Sequence, residues 1–192
     1  GDEQSGHVAA LGFELYMSML DEAVAAKEGS VDGDEPEPVR LDVNVDAYVP
    51  ADYVPYEQAK IEVHRRIAVA REVAELGALR EELEDRFGEP PEPLENLLAL
   101  QQARINFGRA GARVVSFRQG RLAVTPIDLD AEQTAALKDQ LPGVVVEPGR
   151  SQVSLKVPDA AEERFAAVVR AADVLLAVVS AGAAGPTPEP VA

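Results

Sequence analysis

The spacing of apolar residues changes along this chain, and that change sets its fold class. Up to Phe107 most apolar positions recur at three- and four-residue steps, which stacks side chains on one face of a helix. From Arg113 onward they alternate, the two-residue period of a strand with one buried face. Helices gathered before strands joined by tight turns predict an α+β fold. The expected layout is a helix-rich N-terminal half with one strand, then a small antiparallel sheet with flanking helices.

The elements follow from particular residues. Val8, Leu11, Leu15, Tyr16 and Met19 predict a helix over 8–27, ended by Gly29. The acidic, Pro- and Gly-rich stretch from Ser30 to Pro38 reads as a loop. Val39 to Val45 alternates strictly and predicts the one early strand. Pro50 and Pro55 disfavour helix in the residues before them, so 46–55 is extended or turned. Ala59, Val63, Ile67 and Ala70 mark one helix, and residues 74–87 a second that Gly88 can cap. Leu94, Leu97, Leu98, Ile105 and Phe107 mark a third, from Glu92. Arg113–Phe117 and Leu122–Ile127 flank a hairpin turn, Arg118-Gln119-Gly120-Arg121. A helix over 131–140, strands at 144–146 and 153–157, and a helix from Asp159 to Val179 with Asp159 as N-cap complete the pattern. From Ser180 to Ala192 small residues and prolines predict disorder.

Composition narrows the chemistry. A hydrophobic content of 46% supports a folded core, and 5% aromatics means that Ala, Val and Leu must build it. The absence of Cys excludes disulfides, thiolate metal sites and a Cys nucleophile. The net charge of -16, from 18 basic and 34 acidic residues, opposes binding to DNA phosphates, which takes clustered Lys and Arg. An acid excess serves either solubility or partners with basic surfaces. No apolar run is expected to span a membrane, and Gly1-Asp2-Glu3-Gln4 does not open a signal peptide, so a cytoplasmic location is expected.

Catalytic motifs are not found. There is no GxxxxGK[ST] loop and no GxGxxG after a strand, and Gly108-Arg109-Ala110-Gly111 reads as a helix end. Ser5-Gly6-His7 lacks the GxSxG elbow. His64, among Glu62, Arg65 and Arg66, reads as solvent-facing or salt-bridged. Glu81-Glu82 and Glu84-Asp85 read as a solvated helix face, not a catalytic pair or a metal site. Within that face Glu82 and Asp85 are three apart and Arg86 lies four after Glu82, which makes a charged patch suited to a partner's basic residues. The same spacing also permits a plain intrahelical pair with Phe87 buried beneath it. Arg104, Arg109, Arg113, Arg118 and Arg121 straddle a helix end and a hairpin, so a basic nucleic-acid-binding edge is a second possibility.

Several blocks carry a family resemblance. Gly1-Asp2-Glu3-Gln4-Ser5-Gly6, then Gly12-Phe13-Glu14-Leu15-Tyr16 and Met19-Leu20, are similar to the junction that follows the motor of bacterial transcription-repair coupling factors. There a GEEQSG loop leads into a VGFxLY helix; Asp2 stands where the family has Glu. Tyr48-Val49-Pro50-Ala51-Asp52-Tyr53-Val54 and Glu82-Leu83-Glu84-Asp85-Arg86-Phe87-Gly88-Glu89-Pro90-Pro91 extend the resemblance, which reaches to about Val179. It implies a non-catalytic regulatory domain without cofactor or metal, over 8–180, after the end of a translocation-motif loop at 1–7 and before a disordered tail at 181–192. Its implied partner is the damage-protein-like recruitment module of the same parent. Through that module the implied partners are the nucleotide-excision repair damage-recognition ATPase and RNA polymerase. The resemblance makes Gln4 a remnant of the translocation motif and puts Glu82, Asp85 and Arg86 at the masking interface. A passive scaffold role is the remaining alternative.

Overall fold

The computed structural model describes residues 39–41, 45–118 and 120–183. The expected helix over 8–27, the loop from Ser30 to Pro38, Gln4, His7, residues 42–44 of the early strand, Gln119 of the turn and the tail from 184 lie outside these residues. The described residues fall into two units, one of 45–102 and one of 39–41 with 103–183.

In the first unit the two prolines act as expected. Residues 46–55 run extended and turn at Pro50, whose carbonyl accepts from the N–H of Tyr53 and of Val54. Helix α1, Glu57–Val69, buries Val63 and Ile67, four apart on one face. Helix α2, Val73–Phe87, buries Leu76, Leu79 and Leu83. It stops at Gly88, whose φ of 88° is open to glycine and costly for other residues. Helix α3, Glu92–Arg109, gives its residues up to Gln102 to this unit and the rest to the second. Leu94, Leu97 and Leu98 of α3 are buried. Gln101, also buried, donates from Nε2 to the carbonyls of Ala68 and Ala70 and so fixes the end of α1. A buried amide left without such partners would be costly.

The second unit is a five-stranded sheet with helices. Strands β1 (Arg40–Leu41), β2 (Val114–Arg118), β3 (Arg121–Thr125), β4 (Val145–Glu147) and β5 (Gln152–Lys156) stand in the order β1-β2-β3-β5-β4. The β2–β3 hairpin closes with Arg118 opposite Arg121, and Gly120 in its turn has φ 71°. The four later strands form the expected antiparallel sheet, and the early strand makes it mixed. The early strand joins it as β1, parallel to β2, while the other pairs are antiparallel. A parallel pair needs a long connection, and the residues between Leu41 and Val114 supply it. Leu41, Val115, Leu122, Val124 and Val153 line the buried face.

Helix α4, Ala131–Gln140, starts with a capping box. Asp130 accepts from the Gln133 N–H, and the Gln133 side chain accepts from the Asp130 N–H. Helix α5 spans Ala161–Ala183. It therefore starts two residues after Asp159, so Ala160 and not Asp159 stands at its N-cap, and it continues past Ser180 on helix-forming alanines. An 18-residue window within 161–182 has a mean hydropathy of 1.8, so by length and composition alone the helix could cross a membrane, contrary to expectation. Its large residues nevertheless form an inward stripe: Phe165, Val168, Leu175 and Val178 are buried, while Arg170, Asp173, Ala177 and Ser180 are exposed. That division is the pattern of a helix packed on a core.

Candidate docking face on helix α2

Burial of Leu76, Leu79 and Leu83 fixes the rotation of α2 and turns its acidic positions outward. Glu81, Glu84, Asp85 and Arg86 are exposed and Glu82 is half-exposed. The two carboxylates singled out in sequence are held differently. Glu82 Oε2 accepts from Arg66 Nη1 of α1 at 2.8 Å, and its Oε1 faces Arg86 Nη1 at 3.4 Å. The Arg66 hydrogen bond holds the Glu82 carboxyl below its ordinary value, and Arg86 acts in the same direction. Asp85 forms no ion pair among the described residues. On the neighbouring turn Arg80 binds Glu84 at 2.7 Å and Glu95 of α3 at 2.7 Å.

Aromatic packing fixes the end of the helix. The Tyr53 ring lies 5.7 Å from that of Phe87, and the Arg86 guanidinium sits 5.0 Å from the centroid of the same Phe87 ring. The Tyr53 hydroxyl donates to the Gly88 carbonyl at 2.7 Å. Burial, and then the nearby Glu84 charge, raise the Tyr53 pKa. Phe87 is half-buried rather than buried beneath the helix. Glu82 and Arg86 form an intrahelical pair, and Asp85 is exposed.

Sequence reasoning missed Arg66, Tyr53 and Glu95 as members of this face. Arg80 and Glu84 are four apart on one helix and were readable as a pair. Arg66 and Glu82 are sixteen apart on different helices, and nothing local signals their meeting.

The other candidates are placed as follows. His64 is partly buried, where the sequence reading offered a solvent-facing or salt-bridged side chain, and its Nε2 accepts from the Val49 N–H at 3.4 Å. Burial pushes its pKa down to about 4, Lys60 acts the same way and Glu57 opposes. Arg104 donates to the Leu41 carbonyl, and Arg121 to the Ser154 carbonyl and hydroxyl, so two of the five arginines of the possible basic edge spend donors within their own unit. Among the described residues no three His, Asp or Glu gather as metal donors. A groove of about 180 Å³ between α2 and α3 is lined by Leu76, Leu98, Arg80 and Glu95 among others, and presents no nucleophile–base pair.

Comparison with known proteins places the chain. The family described as TRCF domain matches residues 43–136. A transcription-repair-coupling factor of Mycobacterium bovis is 33% identical over 171 residues, 83% of this chain and 14% of that protein. One from Staphylococcus haemolyticus is 35% identical over 127 residues, 65% of this chain and 11% of that protein. The chain thus spans about 14% of the length of the first of these relatives. A crystal structure of the C-terminal domain of transcription-repair coupling factor superposes with a TM-score of 0.63 at 19% identity, over 75% of this chain and 95% of that one; at this identity the likeness is one of fold.

Proposed function

Because the chain belongs to the TRCF domain family, we propose that it is a non-catalytic regulatory domain of a transcription-repair coupling factor, working by docking through the outward face of α2. The parent would be an ATP-dependent DNA translocase that displaces stalled RNA polymerase and recruits nucleotide-excision repair. In the resting state this domain covers the parent's damage-protein-like recruitment module and restrains the motor. On engagement it lets go, and the repair ATPase gains the uncovered surface. Residues 1–7, with Gln4, are the end of the translocation-motif loop, and 8–180 the regulatory domain.

One observation carries this function: α2 presents Asp85, without an ion pair among the described residues, beside Glu82 and Arg86 on a helix locked by its buried leucines. Exposed ion pairs contribute about 0.2–1 kcal/mol each, so a few of them around a packed centre make a clasp that a competing ligand can open. Reversing both carboxylates, Glu82→Arg with Asp85→Arg, in the full-length protein is expected to raise basal ATP hydrolysis and binding of the repair ATPase. Deleting the domain should do the same. An unchanged double variant would remove these residues from the interface, and a dead motor on deletion would contradict the restraint.

A further inference from the structure

Resting on that docking function, we infer that Arg66 is an internal latch on Glu82 which a docking partner must displace, and that Asp85 is the carboxylate that meets the partner first. The two residues differ in what already occupies them. Both Glu82 oxygens face guanidinium nitrogens of this chain, Arg66 at 2.8 Å and Arg86 at 3.4 Å. A partner arginine seeking the two-pronged geometry that carboxylates favour therefore finds Glu82 taken. Asp85, one turn on and on the same side, has no such competitor among the described residues.

Arg66 reaches Glu82 from a rigid base. It lies in the last turn of α1, and the buried Gln101 side chain holds the carbonyls of Ala68 and Ala70 just beyond it. The pair is thus set by the packing of two helices and is not a chance meeting of two long side chains. Its exposure keeps it weak enough to exchange: both side chains are 40% exposed. The latch keeps Glu82 from pairing with unintended cations, and releases it where a basic surface, already steered by Asp85, brings a stronger donor.

The test is a calorimetric titration of the chain and its variants against the isolated recruitment module of a transcription-repair coupling factor. Arg66→Gln is expected to tighten binding by about two- to five-fold, the value of an exposed pair. Arg66→Lys, which keeps a cation within reach, should stay near the parent affinity. Asp85→Asn should weaken binding. Arg65→Gln removes the same charge without freeing Glu82 and should tighten binding less. If Arg66→Gln unfolds the chain, Arg66→Met keeps the apolar stem and takes its place. Parent binding with no tightening by the Arg66 variants, or equal tightening by Arg65→Gln, overturns the latch and leaves the docking function standing. Failure of Asp85→Asn to weaken binding overturns its part as first contact. Absence of parent binding overturns the docking function and the latch with it.

Discussion

His64 holds the Val49 N–H through Nε2, and a ring that accepts there must be neutral. Burial supports this by pushing its pKa from 6.5 down to about 4. A depressed folded-state value means that the unfolded chain takes up the proton first. Stability from His64 is therefore complete above pH 6.5 and is lost as pH falls toward 4. Glu62 and Glu82 also have lowered values, but their stabilisation persists above their ordinary 4.5 and fades below it. Between pH 6.5 and 4.5 the histidine therefore dominates among these groups. The Tm of the chain should fall over that window, and His64→Gln, whose amide oxygen can accept without titrating, should flatten the curve. An equally steep fall in the variant would assign the effect elsewhere. In sequence, His64 sat among charged neighbours, and its inward turn depended on a loop fifteen residues earlier. Glu82, Asp85 and Arg86 were readable because their spacing lies within one helix. The Arg66 contact was not, because it depends on how α1 packs.

At the scale of elements, apolar period and punctuation did most of the work. Gly88, the helix it ends, and the hairpin around Gly120 stand where spacing and turn chemistry put them. The misplacements share a cause. Asp159 is a good N-cap residue by type, yet α5 starts after Ala160, since a preference of about 1 kcal/mol yields to tertiary packing. The later strands pair antiparallel as expected, and what the sequence did not show is that the early strand joins them in parallel, because its partner lies far along the chain. Local alternation carries no information on direction. The capping box of α4 was legible as Asp130 with Gln133 but was not drawn from the sequence. Asp130→Ala should cost about 1 kcal/mol in urea unfolding with an unchanged m-value. A cost near zero would mean that the packing of α4 on α5 sets that helix end alone.

For the whole molecule, the fold class and the outward acidic face of α2 were within reach of sequence because each rests on repeating patterns. Composition alone left the purpose of the acid excess open between solubility and a basic partner. The placement of Asp85 on a leucine-fixed helix favours the partner. Titration of the chain into the recruitment module by calorimetry, at low and at moderate salt, tests this directly. Binding that weakens with salt and disappears when Glu82 and Asp85 are both reversed to arginine is the expected result. Binding that survives the reversal would contradict docking through α2.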